Sequence, residues 1–225
     1  MQLGILGTGR MAVRLADLAA KGGHSVILGS RTPERARNIA AQLQGEVKGG
    51  SYDEAIQAPH VLPALFMRNG ALDILAGLRQ QLAGKIVIDI LNPFDKTGDG
   101  YMTAWDTSAA EELQKVLPES RIVSIFKWPF WEAFENPDFE GGPMDIVYTG
   151  DDEGAKKAAL ELFKAAPFRF LDGGGLANAR YTERMTLFAG ILGAKLGYLP
   201  RVGWRLMGEP WTPAVKDAYA HMLKR

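Results

Sequence analysis

The segment Gly7-Thr8-Gly9-Arg10-Met11-Ala12 stands between a short apolar run and an amphipathic one, and it limits the fold more than any other feature of the sequence. The run before it, Gln2–Leu6, predicts a buried strand. The run after it, Arg10–Lys21, puts Ala12, Leu15, Ala16 and Ala19 on one helical face and closes at Gly22-Gly23. In that setting G-x-G-x-x-A has a physical meaning. Gly7 permits a tight turn, Gly9 lets a pyrophosphate approach the backbone, and Ala12 stays small where helix and strand touch. The free N–H groups and positive end of the helix then face the phosphates. A strand-to-helix turn that binds nothing is the alternative; the βαβ context favours dinucleotide binding.

The remainder alternates in the same way, with no internal repeat and no low-complexity linker. Further strands are predicted over 25–30, 47–49, 61–66, 85–90, 121–126, 144–149 and 168–171. Pro63 makes the fourth of the chain's strands irregular. Helices are predicted over 33–43, after a capping box at Ser51-Tyr52-Asp53-Glu54, within 68–82, over 107–117, from a cap at Asp151 to 165, over 179–199 and over 212–223. The expected fold class is α/β, a Rossmann-type doubly wound, mainly parallel sheet with a short helical C-terminal extension. Residues 1–175 are expected to form the dinucleotide-binding domain, and 176–225 a helical cap or dimer element.

The cofactor choice is written at the end of the second strand, Leu28-Gly29-Ser30-Arg31-Thr32. An NAD site usually carries an acid there for the ribose hydroxyls. Here there is none. Arg31 would attract a 2′-phosphate and stack on adenine, Ser30 and Thr32 add hydroxyls, and Arg35 lies one helical turn on. Solvated charges at a helix start are the plainer reading of the same residues. The expected cofactor is NADP(H).

No catalytic residue declares itself. His24, His60 and His221 read as structural, and no H-E-x-x-H, G-x-S-x-G or carboxylate cluster is present, so no metal site is expected. Cysteine is absent, which excludes thiolate chemistry and disulfides. Lys+Arg and Asp+Glu both number 26, so nothing advertises nucleic acid. No run is long enough to span a bilayer, and the first residues lack the pattern of a secretory leader, so a cytoplasmic location is expected. Ligands of such sheets sit beyond the carboxyl ends of the strands. Those ends are Phe66-Met67-Arg68, Leu91-Asn92-Pro93-Phe94 and Phe126-Lys127-Trp128-Pro129-Phe130-Trp131. Phe66, Asn92 and Pro93 are expected on the cofactor side. Asn92 either hydrogen-bonds the nicotinamide or is a turn residue before Pro93. Lys127 is either a ligand contact or a solvated charge. The aromatic run, Trp128 included, either stacks a planar substrate or fills the core or a dimer interface.

Together these residues resemble the NADP oxidoreductases that use the deazaflavin coenzyme F420, and the cytosolic domains of six-transmembrane ferric reductases. The resemblance rests on Ile5-Leu6-Gly7-Thr8-Gly9, Leu28-Gly29-Ser30-Arg31, Val87-Ile88-Asp89-Ile90-Leu91-Asn92-Pro93, Arg121-Ile122-Val123-Ser124, Tyr148-Thr149-Gly150-Asp151-Asp152 and the segment from Leu171 to Arg180. It implies cofactor roles for Thr8, Arg10, Met11, Ser30, Arg31 and Arg35, and it brings Gly174 and Leu176 to the active-site side. It also implies a deazaflavin, FMN or FAD ring as a small-molecule electron partner, and a homodimer is one possible assembly. Two other functions stay open: an NADPH-dependent reductase of a small carbonyl or imine, with Lys127 or a tyrosine as proton donor, and a non-catalytic NADP(H)-sensing module.

Overall fold

A computed structural model of the chain describes residues 1–98 and 100–208. Its centre is β1 (Gln2–Leu6), from which the chain passes through α1 (Arg10–Lys21) to β2 (Ser25–Gly29), α2 (Pro33–Ala40), β3 (Val47–Gly50), the short α3 (Tyr52–Ala55) and β4 (His60–Pro63). A 3-10 turn (Met67–Asn69), α4 (Ala71–Gly77) and α5 (Arg79–Leu82) lead to β5 (Ile86–Asp89). Then come α6 (Ala109–Val116), β6 (Arg121–Ser124), α7 (Trp131–Glu135), β7 (Asp145–Tyr148), α8 (Glu153–Leu162), β8 (Arg169–Asp172) and α9 (Ala179–Leu196). The six-stranded sheet has the order β3-β2-β1-β4-β5-β6, with every neighbour parallel. This is the expected doubly wound Rossmann arrangement.

The two faces of the sheet follow from the two-residue period of a strand. Leu3 and Ile5 of β1, with Ile86 and Ile88 of β5, pack into the core shared with α1, α8 and the aromatic residues Phe126, Trp128 and Phe163. Leu6 and Val87 face the opposite core, with Ala55, Leu75, Leu113, Leu176 and Ala179. The chain reverses its winding between β1 and β4, so a crevice opens at their carboxyl ends. There Gly7 N–H donates to Gly29 O and Ala64 N–H to Leu6 O, which hold the turn open on both sides.

Several expectations shift. The strand expected over 61–66 ends at Pro63, and 64–66 turn away to line the crevice. Asp152, not Asp151, caps α8, its Oδ1 accepting from Ala155 N–H at 2.6 Å; Asp151 instead accepts from Leu176 N–H. The helix expected within 68–82 is present as α4, which starts after Gly70 at φ +80°, and α5, with Leu78 between them. The five-residue helix α7 was not expected, because a segment that short shows no periodicity. The helix expected over 212–223 and His221 lie outside the described residues.

The largest change is at the far edge. β7 and β8 pair parallel to each other but join β6 through an antiparallel bridge, Ser124↔Thr149. Their carboxyl ends therefore point toward the start of β6, away from the crevice. Asp145 at the start of β7 is gripped by Arg169 of β8 through two bonds of 2.5 and 2.7 Å, and it also accepts from Leu206 N–H at 2.6 Å. The Arg169 guanidinium and these bonds hold the Asp145 carboxyl below its ordinary 3.8. A depressed acid stabilises the fold above its unfolded pKa and loses that contribution as pH falls through the folded value. Asp145→Asn is therefore expected to lower the thermal midpoint at pH 7. The gap to the parent should close below pH 3.8, as read by calorimetry across pH. A gap that persists unchanged in acid would exclude the charge as its source.

Beyond the sheet, α9 buries Thr182, Glu183, Thr186, Ala189 and Gly193 on one stripe and leaves Tyr181, Phe188 and Ile191 exposed on another. Among the described residues no helix is long and apolar enough to cross a membrane.

Candidate functional site

The crevice is a cleft of two halves that share Gly9, Ala64, Leu65 and Phe66 in their walls. One half, about 340 Å³, is bounded by the glycine turn, Ser30, Arg31, Thr32, Arg35 and Tyr52. The other, about 270 Å³, is bounded by Met11, Asn92, Phe94, Thr186 and the run from Phe126 to Trp131.

In the first half the backbone is shaped for an anion. Gly7 holds φ +131°, and a Cβ there would stand 2.6 Å from Ala64 O. Gly9 caps α1 in an extended conformation, and a Cβ there would meet nothing within 4 Å, so the space above it is open. No acid stands in the first turn of α1. Ser30 Oγ accepts from Thr32 N–H at 3.1 Å, which leaves the hydroxyl proton free to donate. Arg31 and Arg35 are exposed and have no ion-pair partner among the described residues. Tyr52 stands half-buried beside them; burial pushes its phenol up, and Arg31 pulls the other way.

The second half is aromatic, and its chain geometry is unusual. Phe126 has φ +55°, a left-handed conformation costly for a bulky residue. Its ring is held edge-on to Phe163 and Phe170 and tilted against Phe134, so packing overrides the local preference. The turn it makes carries Lys127 inward. The Lys127 side chain is wholly buried, and Nζ donates to Asp89 Oδ2 at 2.6 Å, to Glu183 Oε1 at 3.2 Å and to Leu91 O. Burial disfavours its charge, but Asp89 and Glu183 outweigh this and hold its pKa above the ordinary value. Burial, with Asp89 nearby, raises the Glu183 carboxyl against the pull of Lys127. Glu183 also accepts from Ala109 and Ala110 N–H at the start of α6. Asp89 Oδ1 accepts from Leu91 N–H at 2.9 Å. Above this cluster, Asn92 Nδ2 donates to Lys127 O at 2.7 Å, while Asn92 Oδ1 is buried without a partner.

Known proteins match this arrangement. Residues 2–93 fit the family model described as NADP oxidoreductase, coenzyme F420-dependent. An F420-dependent NADP reductase of Methanothermobacter marburgensis is 30% identical over 203 residues, which span 83% of this chain and 89% of that protein. The chain belongs to the F420-dependent NADP oxidoreductase family. Metalloreductase STEAP3 of Rattus norvegicus is 32% identical over 187 residues, but this chain spans only 36% of its length. The crystal structure of a candidate F420-dependent NADP-reductase from Arthrobacter sp. FB24 superposes with a TM-score of 0.74 at 25% identity, covering 88% of this chain and 95% of that one.

In this NADP-dependent oxidoreductase most of the residues read from the sequence converge on the cleft: Gly7, Thr8, Gly9, Ser30, Arg31, Thr32 and Arg35 in one half, Met11, Asn92 and Trp128 in the other, and Phe66 in both. Arg10 stands at the entry with its guanidinium 4.6 Å over the Trp131 ring. Pro93 is buried behind the wall, where its carbonyl accepts from Met102 N–H. Two expectations need correction, those for Lys127 and for Gly174 with Leu176, and the open choice at Trp128 falls on the core. Lys127 is neither a solvated charge nor a side chain offered to a ligand, because its ammonium is spent on the buried cluster. Trp128 is 2% exposed and ties Nε1 to Asp145 O at 2.7 Å, so it is chiefly core. Gly174 and Leu176 border neither half of the cleft, since the reversed β7–β8 pair carries them to the other end of β6. Sequence reasoning missed Tyr52, Thr186 and Glu183. Glu183 alone left a trace, an acid on the helical face of small residues from Ala179 to Gly193.

Proposed function

We propose that this oxidoreductase passes hydride between NADP(H) and a flat carrier ring of the deazaflavin or flavin class, coenzyme F420, FMN or FAD. The 2′-phosphate lies among Ser30, Arg31, Thr32 and Arg35, and the pyrophosphate lies over Gly7, Thr8, Gly9, Arg10 and Met11 at the start of α1. The nicotinamide lies between Phe66 and Asn92. Two features support the fit of this cofactor: the open space above Gly9 and the unpartnered Asn92 Oδ1, an acceptor for a carboxamide N–H.

The observation that carries the choice of acceptor is where the side-chain protons of the second half go. Thr186 donates to Thr182 O at 2.9 Å, Asn92 Nδ2 to Lys127 O, Trp128 Nε1 to Asp145 O and Lys127 to its three acceptors, and Tyr101, edge-on to Phe94 outside the lining, donates to Glu183 O. Reduction of a carbonyl needs a proton delivered as the hydride arrives. A conjugated ring spreads the incoming charge itself and takes its proton from water. The balance is one hydride from NADPH and one proton from solvent, giving NADP and the dihydro ring. What the protein supplies is face-to-face placement between aromatic walls.

The test is to follow NADPH oxidation with coenzyme F420, FMN, FAD, ferric chelates and a panel of aldehydes, ketones and imines. Turnover with the ring acceptors alone is the expected result. Turnover confined to carbonyls or imines would replace the proposal. NADPH binding without turnover on any acceptor would make the chain a sensor.

A further inference from the structure

Lys127 borders the cavity although its side chain is fully buried, so what it offers the cleft is its backbone. That backbone follows the left-handed turn at Phe126, and no backbone–backbone hydrogen bond holds it among the described residues. It is fixed from within instead. The ammonium has three protons and three acceptors, brought from β5, from the loop after it and from α9. On the other side, the Lys127 carbonyl can only accept, so the Asn92 atom facing it is Nδ2, and the other amide atom is an acceptor. A buried acceptor left unpaired is costly, and this one belongs to a residue that lines the cavity.

We infer that Lys127 is a positioning residue for the nicotinamide: its clamped ammonium fixes the peptide whose carbonyl orients the Asn92 amide, so that Asn92 Oδ1 receives the carboxamide N–H of NADP(H). This rests on the reading that the nicotinamide lies against Asn92. The charged cluster then acts through one hydrogen bond, from Asn92 to Lys127 O, without touching the cofactor. Lys127 in this role explains why a cation just past the end of β6 is turned inward. It sets an amide rather than a charge before the ligand.

The experiment compares binding of NADPH with that of 2′-phospho-ADP-ribose, which has every part of the cofactor except the nicotinamide. Full-length parent, Asn92→Ala, Lys127→Met and the double variant are titrated with both. Each single change is expected to weaken NADPH about tenfold, leave the fragment within about twofold, and add nothing when combined. If Lys127→Met does not fold, Asp89→Asn with Lys127→Met takes its place, since it removes one of the two carboxylates left facing no cation. Three results would overturn the inference while sparing the cofactor reading: NADPH unaffected by Lys127→Met but weakened by Asn92→Ala, additive losses, or equal loss of fragment and NADPH in the Lys127 variant. NADPH binding untouched by Asn92→Ala would overturn both.

Discussion

Arg31→Glu is expected to weaken NADPH binding by about 100-fold or more while changing NADH binding by less than about threefold, measured by titration calorimetry. A charge-assisted hydrogen bond to phosphate contributes roughly 1.5–3 kcal/mol, and a carboxylate in its place adds repulsion of the 2′-phosphate. The position is suited to the test because Arg31 is exposed and has no ion-pair partner among the described residues, so the exchange strands no buried group. The Ser30–Thr32 turn that frames it is made by Ser30 Oγ and the Thr32 amide and does not depend on the arginine. The fold should therefore be preserved, and the circular dichroism melt should match the parent. Equal losses for the two dinucleotides would mean that the arginine serves the pyrophosphate or the ribose generally, and the assignment of the 2′-phosphate pocket would fall.

The second large effect is at Gly9. Gly9→Val should fold with near-parental stability and lose NADPH affinity by about 100-fold, because the added side chain occupies the space through which phosphate reaches the α1 amides. Its neighbour behaves differently. Gly7→Ala puts a Cβ against the Ala64 carbonyl at φ +131°, so its cost falls on the fold itself. Two glycines of one motif should thus separate into a ligand phenotype and a stability phenotype. The check is to measure denaturation and cofactor titration on both variants. A Gly9→Val protein that binds NADPH normally would remove the phosphates from this turn.

That Gly7, Gly9 and residues 30–35 share one half of the cleft was legible because its determinants are local. The spacing of Gly7, Gly9 and Ala12 and the absence of an acid at 30–32 are properties of short segments whose geometry the backbone dictates. The aromatic half was not, because its residues meet through tertiary packing. Asp89, Lys127 and Glu183 lie on three distant segments, and no periodicity signals that a lysine will turn inward rather than out. The positive φ at Phe126 that makes the turn is imposed by rings from α7, α8 and β8. Gly174 and Leu176 were misplaced for a related reason. The strand run 144–149 reads the same in either direction, and only the Ser124↔Thr149 bridge shows that β7 opposes the main sheet.

The same geography sets an order of events as the chain is made. Residues 2–93, with the glycine turn and the arginines, leave the ribosome about ninety residues ahead of Glu183. The glycine turn and the strands β1 to β5 around it are made first. The opposite wall waits for α9, because until Glu183 arrives Lys127 lacks one of its carboxylates and the Ala109 and Ala110 amides of α6 lack their acceptor. The aromatic wall of the crevice is therefore completed only once α9 has been made, near the end of synthesis.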